Sequence, residues 1–261
     1  MSSNTVREVP VQPPHAGRRA LLGAALLAPL TVPAPALADW FGSGPRVEGS
    51  GKIVEEPRAI AGFNTIKSTS SFDIELVNSP TESAVVRGDD NLLGMVELRV
   101  ENGVLNIENR KGSSWRSRKG MTLTIHFKEI SSLMLSGSGD LKADKINTRR
   151  FDASISGSSD VVIASLTAAI VAVSIAGSVD FTADGTAQKQ GFNIQGSGDI
   201  SAGNLKGETV AVRIAGSGDA SVYASASLDV SIAGSGDVTY RGSPPRVRKS
   251  VAGSGSVLAR D

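Results

Sequence analysis

The sequence predicts an all-β fold, a single-stranded parallel β-helix with about 20 residues per coil and an N-terminal β-rich cap. The main observation is a Gly-Ser-Gly-Asp motif, or a close variant of it, that recurs at spacings of 18 to 20 residues. A fixed period of this length is typical of proteins built from stacked coils. The first glycines of the motifs are Gly137, Gly157, Gly177, Gly196, Gly216, Gly234 and Gly253.

Alternating apolar residues on both sides of each motif are the second observation. Positions two and four before the first glycine are mostly apolar, as are positions four and six after it. Period-two alternation predicts a strand on each side of a glycine turn, whereas a leucine-rich horseshoe would need helical segments and an asparagine column. Coils stacked about 4.8 Å apart would bury every apolar column at once. The column two residues before the glycine contains Leu135, Ile155, Ile175, Ile194, Ile214, Ile232 and Val251.

The repeat region, residues 131–261, shows two further features. Ile146, Leu166 and Leu205 each follow a motif glycine by nine residues, and they predict a third short strand that closes the coil. In the last coil Lys249 interrupts an apolar column, and Pro244-Pro245 precede it. Charge and proline protect an exposed strand edge from pairing with another chain, so the C-terminal end is expected to form a cap.

Residues 57–130 also have a strand pattern, but without the repeat. Asn102-Gly103 lies between two apolar runs and predicts a β-hairpin. Asn91 to Met95 suggest one short helical turn. We expect these strands to form the opening coils and a small sheet that caps the start of the β-helix. Residues 39–56 are rich in glycine, serine and charge, and are expected to form a flexible lead-in.

Residues 1–38 have the pattern of an export signal peptide. Arg18-Arg19 precede an apolar run, and small residues up to Ala38 mark a cleavage point, as in signal peptides. The paired arginines and the long polar segment before them suggest the twin-arginine route. Prolines interrupt the apolar run, which favours a cleaved peptide over the alternative of an uncleaved membrane anchor. The mature protein is therefore expected in the periplasm, at the cell surface or secreted.

The composition excludes several classes of function. The 261 residues include no cysteine and two histidines, His15 and His126. The absence of cysteine excludes a disulfide framework, a thiolate metal site and a cysteine nucleophile. Two histidines are too few to favour a histidine-based metal site or catalytic triad. The 27 basic residues nearly balance the 26 acidic ones, so net charge gives no reason to expect nucleic acid or an anionic membrane as a partner. We expect no cofactor.

The chain resembles the bacterial family named "putative auto-transporter adhesin, head GIN domain" over roughly residues 57–259. The resemblance rests on the ladder of Gly-Ser-Gly-Asp turns combined with ordered N-terminal segments. At Lys128-Glu129-Ile130 the chain departs from the Pro-Leu-like junction of the family. The resemblance implies an exported β-helical protein of the cell envelope, and it implies no catalytic residues. The N-terminal segments that carry it are Phe63 to Ile66, Phe72 to Leu76, Gly88 to Leu93, Gly103 to Ile107 and residues 121–127.

The aspartates of the motifs form a column that is the first candidate site. Neighbouring carboxylates about 4.8 Å apart repel by roughly 0.9 kcal/mol in water and about 3.5 kcal/mol at an effective dielectric of 20. One interpretation is a weak Ca²⁺ site, because hard cations prefer carboxylate oxygens. The interpretation we favour is that each carboxylate accepts N–H groups of its own turn in an Asx-type corner. The column contains Asp140, Asp160, Asp180, Asp199, Asp219 and Asp237.

The second candidate is the basic segment, residues 110–119, in which five cations surround one tryptophan. Such a surface suits an anionic envelope polymer or lipid headgroups, and a solvated hairpin loop without a ligand is the alternative. The candidate contact residues are Arg110, Lys111, Trp115, Arg116, Arg118 and Lys119. A further basic cluster, interpreted as part of the end cap, contains Arg241, Arg246, Arg248 and Lys249.

Three functions fit these patterns. The favoured one is a non-catalytic β-helical envelope protein that binds or adheres to an unknown polymer, surface or protein. A polysaccharide-acting enzyme on a β-helix scaffold is the alternative, and it rests on analogy between folds. The third is a structural protein that self-associates through its coil edges. A nucleic-acid partner fits the export signal badly.

Overall fold

The computed structural model describes residues 46–112 and 114–260, so the predicted leader, residues 1–38, lies outside the described residues. Strands make up nearly all of the regular structure in the described chain, together with one 3-10 helix at Leu93–Met95. None of the helices described is long and apolar enough to cross a membrane. The strands are β1 (Arg46–Glu48), β2 (Ile53–Arg58), β3 (Thr65–Ser68), β4 (Asp73–Asn78), β5 (Ser83–Asp89), β6 (Val96–Glu101), β7 (Val104–Asn109), β8 (Ser114–Arg116), β9 (Thr122–Phe127), β10 (Ser132–Gly137), β11 (Leu141–Ala143), β12 (Ile146–Asn147), β13 (Arg150–Gly157), β14 (Asp160–Gly177), β15 (Asp180–Gly196), β16 (Ile200–Ala202), β17 (Leu205–Lys206), β18 (Thr209–Gly216), β19 (Ala220–Tyr223), β20 (Ser227–Gly234), β21 (Val238–Arg241), β22 (Arg246–Gly253) and β23 (Val257–Ala259).

From Ser132 onward the coils stack in parallel and in register, which confirms the predicted β-helix. Ile155 pairs with Ile175, and Ile175 with Ile194. All three side chains are buried. The strands that end at a motif glycine form one face, here called the pre-glycine face, and those that follow the motif form the post-glycine face. Apolar columns from both faces build one continuous core.

A third face closes the coils in the middle of the stack. β12 pairs with β14, and β17 pairs with β15. Ile146, Leu166 and Leu205 point inward and are fully buried. The predicted third strand is thereby confirmed, and β14 and β15 run without interruption around all three faces.

The first glycine of each motif has a positive φ that disfavours other residues, and the preceding coil leaves no space for a side chain there. Gly216, for example, has φ +142°, and a Cβ on it would collide with the carbonyl oxygen of Gly196 in the preceding coil. The third motif position points toward the core, because Ser159 and Val179, which replace glycine there, are buried. The corner is thus fixed by backbone packing between coils.

The N-terminal coil is out of sequence order in the stack. β3 lies between β7 and β10, and β4 lies between β9 and β11. The coil formed by residues 65–78 is therefore sandwiched between the coil of residues 104–127 and the first coil of the repeat. This order was not predicted, since it depends on long-range pairing that no local pattern reveals.

Antiparallel strands close the N-terminal end of the β-helix, as predicted. β5 pairs antiparallel with both β2 and β9, and β6 pairs antiparallel with β7. The β6–β7 hairpin turns at Asn102 and Gly103, whose φ angles are +51° and +79°. These values match the residue types that the hairpin prediction used.

Strands begin earlier than predicted, inside the segment expected to be a flexible lead-in. β1 pairs in parallel with β8, and the two form a small separate sheet. The Gly49 N–H donates to the Arg116 carbonyl at 2.8 Å, and the Gly51 N–H donates to Asp89 Oδ1 at 2.6 Å. Regular structure with backbone partners in the body of the protein therefore begins inside residues 39–56, the segment expected to be a flexible lead-in.

Candidate functional site

The aspartates of the repeat form one exposed column along the post-glycine face. The backbone N–H of each donates to the carboxylate of the aspartate one coil earlier, with one exception. Asp219 N donates to Asp199 Oδ1 at 2.7 Å, and Asp237 N donates to Asp219 Oδ1 at 2.7 Å. At the last coil Ser256 donates to Asp237 Oδ1 from both its N–H, at 2.7 Å, and its hydroxyl, at 2.8 Å. The column therefore links successive coils.

These hydrogen bonds correct the prediction of an Asx-type corner. The carboxylates do accept backbone N–H groups, but the donors belong to the next coil and not to the same turn. A coil spacing of about 4.8 Å places the next N–H within reach of the short aspartate side chain. The exception is Asp180, whose N–H donates to the Ser159 carbonyl at 3.2 Å.

The column contains an aspartate that the sequence did not reveal. Asp140 N donates to Asp73 Oδ1 at 3.2 Å, so Asp73 extends the ladder into the N-terminal coil. Its coil lacks the two glycines of the motif and has Ser70 and Phe72 in their places. The shared Ser-x-Asp spacing, Ser71 to Asp73, was the signal that could have identified it.

The geometry of the column gives no support to the calcium interpretation. Across residues 46–112 and 114–260, no group of three or more His, Asp or Glu side chains is placed to hold a metal ion. A Ca²⁺ ion needs six to eight oxygen ligands that converge on one point. The carboxylates of the ladder are instead arranged in a line, one per coil.

The basic segment is held in place by its tryptophan. Trp115 is half-buried, and its ring stacks on Phe72 with centroids 5.6 Å apart and planes 8° from parallel. Its Nε1 donates to Asn109 Oδ1 at 3.2 Å. Trp115 thus anchors the segment to the core.

A buried aspartate fixes the other end of the basic segment. Asp89 is 1% exposed. Its Oδ2 accepts a hydrogen bond from Ser117 Oγ at 2.5 Å, while its Oδ1 accepts the Gly51 N–H. Nearby, the hydrogen bond from Ser50 Oγ lowers the pKa of the exposed Asp90, and Lys52 adds to this effect. Asp89 therefore links the segment to the turn before β2, and Asp90 adds contacts to that turn.

Several cations of the basic segment are presented to solvent. Lys111, Arg116, Arg118 and Lys119 are exposed, and within the described chain none of them forms an ion pair. Arg110 is different, because its Nε lies 3.6 Å from Glu97 Oε1. The β1–β8 pairing adds the exposed Arg46 to this surface, a residue too distant in sequence for the motif to include.

The second basic cluster lies at the C-terminal end, as its interpretation as a cap requires. Lys249 occupies an inward column, in register with Val230. Its Nζ lies 5.5 Å from the centroid of the Tyr240 ring and donates to the Val257 carbonyl at 2.8 Å. Arg241 donates to Asn204 Oδ1 at 3.1 Å. Lys249 therefore extends across the end of the core.

Comparison with known structures supports the fold described above. The crystal structure of a "putative adhesin" from Bacteroides fragilis is 27% identical in sequence to this chain, with a TM-score of 0.79. The match covers 82% of this chain and all of that one. A "putative adhesin" from Parabacteroides distasonis is 25% identical with a TM-score of 0.68, covering 83% of this chain and 100% of the other. A "putative lipid binding protein" from the same species is 28% identical with a TM-score of 0.66, with coverage of 83% and 100%.

A search of curated proteins found no match. The family model described as "putative auto-transporter adhesin, head GIN domain" matches residues 62–244. This range includes the N-terminal segments and six of the seven motifs on which the resemblance was based. The chain belongs to the family of the "putative auto-transporter adhesin, head GIN domain".

Proposed function

We propose that this protein is an exported, non-catalytic, adhesin-like protein of the cell envelope that contacts an anionic polymer through its basic segment. The family and the similar structures have adhesin names, which supports the adhesin-like role. The signal pattern of residues 1–38 supports export to the periplasm, to the cell surface or out of the cell.

The observation that carries the proposal is a set of exposed cations on a fixed backbone. Lys111, Arg116, Arg118 and Lys119 face solvent, while Trp115 and Ser117 are tied to the core by ring stacking and by Asp89. A binding surface that is already ordered loses less conformational entropy when it binds a ligand. Unpaired cations on such a surface attract anionic polymers, and salt weakens this attraction.

Lipid headgroups are the second candidate for the same segment. The specific observation in their favour is the name of one Parabacteroides distasonis neighbour, a "putative lipid binding protein". Basic residues near a membrane surface contribute roughly 1 kcal/mol each when anionic lipids are present. The experiment below distinguishes anionic lipid headgroups from a free anionic polymer.

The test compares binding of the full-length protein to dextran sulfate beads, to neutral dextran beads and to phosphatidylglycerol vesicles. We expect retention on dextran sulfate that falls with increasing salt. The variant Arg116→Glu/Arg118→Glu should elute at clearly lower salt than the wild type. The matched control, Lys189→Glu/Arg213→Glu, changes the net charge equally at exposed strand positions outside the segment and should elute close to the wild type.

Equal elution of the two double variants would refute a role for the basic segment. Binding to vesicles without binding to dextran sulfate would replace the polymer by a lipid surface as the partner. Release of reducing sugar from an envelope polysaccharide by the wild-type protein would contradict the non-catalytic assignment.

A further inference from the structure

A groove of about 590 Å³ runs along the third face of the β-helix, outside the surface assigned to the anionic polymer. Four successive coils line it. They contribute residues 167–169, residues 186–188, residues 206–208, and Tyr223 with Ser225. With coils about 4.8 Å apart, the groove is about 14 Å long. It is therefore an extended channel across the stack and not a compact pocket.

Small residues make the floor of this groove. Ala168, Ala187 and Gly207 occupy corresponding positions in three coils, and all three are buried. Beneath them Gln190, which is 3% exposed, donates from Nε2 to the Leu205 carbonyl at 2.8 Å and to the Ala187 carbonyl at 3.3 Å. A polar side chain inside an otherwise apolar column thus fastens two neighbouring coils at the level of the floor.

The walls of the groove carry polar groups that are available to a ligand. Thr167, Thr186, Gln188, Lys206 and Glu208 are exposed, and among the described residues their side chains make no hydrogen bond. A hydroxyl both donates and accepts a hydrogen bond, and the glutamine amide can do the same. The walls therefore match a ligand that has many hydroxyl groups.

An aromatic ring closes the C-terminal end of the groove. Tyr223 is half-buried and lines the groove. Its Cζ lies 3.4 Å from the point that a Cβ of residue 242 would occupy, so the ring rests against Gly242. A tyrosine that lines the groove offers an apolar ring to a ligand.

The charges and the backbone pairing restrict what can bind here. Lys206 and Glu208 balance one another, so the groove has no excess charge to attract an anionic polymer. β14 and β15 pair with strands on both sides, so neither offers a free edge to which an extended peptide could add. β17 is only two residues long and pairs with β15 alone, so a peptide competitor is part of the test below.

We propose that this groove binds a segment of an uncharged polysaccharide. Sugar hydroxyls would exchange hydrogen bonds with Thr167, Thr186 and Gln188, and the apolar face of one ring would stack on Tyr223. The site goes beyond the proposed contact with an anionic polymer, because it uses other residues and another type of interaction. The protein would then have two separate binding surfaces, one for an anionic polymer and one for an uncharged polysaccharide.

The test is binding of the full-length protein to an array of neutral hexasaccharides, including those of glucose and of N-acetylglucosamine, followed by titration calorimetry with the strongest binder. We expect saturable binding that 0.5 M NaCl leaves unchanged within twofold. Thr167→Arg places a long side chain in the groove and should weaken binding at least tenfold. The matched control is Ser174→Arg, on the same strand but exposed on the pre-glycine face, and it should bind as the wild type does.

A second pair of variants addresses the tyrosine. Tyr223→Phe keeps the ring and should bind within threefold of the wild type, whereas Tyr223→Ala should lose at least tenfold. The proposal is overturned if no neutral hexasaccharide binds or if Thr167→Arg binds as well as Ser174→Arg. It is also overturned if an extended peptide competes for the groove. The variant Arg116→Glu/Arg118→Glu should bind the sugar normally, which separates this proposal from the anionic polymer contact.

Discussion

The indole ring of Trp115 lies parallel to the phenyl ring of Phe72, with the two centroids 5.6 Å apart. Phe72 is 1% exposed and belongs to the N-terminal coil. A Cβ on Gly139 would collide with the Phe72 carbonyl, which shows that Phe72 occupies the third motif position one coil earlier. The stack therefore connects the basic segment to the corner of the β-helix, and the cations depend on a core residue for their placement.

We predict that Trp115→Ala loosens the basic segment without unfolding the β-helix. Loss of a half-buried ring and of its stacking partner should reduce the free energy of unfolding by about 1–3 kcal/mol. Binding to dextran sulfate should weaken as well, because the cations lose their fixed backbone. Chemical denaturation measures the loss of stability, and salt elution from dextran sulfate measures the loss of binding.

Trp115→Phe is the control. It keeps the stack and loses only the hydrogen bond to Asn109, so its stability and its binding should fall less. A Trp115→Ala variant with unchanged stability and unchanged elution would show that the stack does not position the segment.

Two glycine variants should differ sharply although both add a single methyl group. Gly216→Ala forces a side chain into a φ of +142° and against the Gly196 carbonyl, so we expect a loss of about 2–5 kcal/mol in unfolding free energy. Gly191 lies in strand β15, where the closest atom to an added Cβ is the Val171 carbonyl oxygen at 4.0 Å. Gly191→Ala should therefore be neutral or slightly stabilising. Thermal and chemical denaturation measure both variants. Equal stability of the two would contradict close backbone packing at the glycine corners.

Substitutions at Asp219 should distinguish a structural ladder from a cation site. Asn in this position keeps an oxygen that can accept the Asp237 N–H and removes repulsion between neighbouring carboxylates. Asp219→Asn should thus be at least as stable as the wild type, and Asp219→Ala should be about 1 kcal/mol less stable than Asp219→Asn. Thermal denaturation with and without CaCl₂ provides the measurement. A calcium-dependent rise in melting temperature that Asp219→Asn abolishes would favour the cation site, because a ligand that binds only the folded state stabilises it.

The repeating part of the fold was predictable because every coil repeats the same local constraints. Columns such as Ile155, Ile175 and Ile194 alternate with polar residues at period two, and only an in-register stack buries them together. The hairpin at Asn102-Gly103 was equally clear, since these residue types favour positive φ at both turn positions, as type I′ turns require. Local sequence thus specified the coils and the hairpin.

The order of the N-terminal coils and the partners in the site could not be predicted in the same way. Nothing near Thr65 indicates that β3 inserts between β7 and β10, because that choice depends on pairing across long stretches of chain. Asp73 was missed since Phe72 replaces the motif glycine beside it. The stack of Trp115 on Phe72 likewise joins residues that no spacing rule relates. The coil order, the position of Asp73 in the ladder and the Trp115–Phe72 stack all depend on long-range packing.

Disulfide formation between engineered cysteines tests the order of the stack most directly, because the natural chain has no cysteine. Lys67 lies in register with Met134 on one side and with Asn106 on the other. The variants Lys67→Cys/Met134→Cys and Lys67→Cys/Asn106→Cys should therefore form an intramolecular disulfide on oxidation. Asn106→Cys/Met134→Cys should not, because two coil spacings, about 10 Å, exceed the reach of a disulfide. If the 106–134 pair forms the bond and the 67–134 pair does not, the coils follow sequence order and the stack described here is wrong.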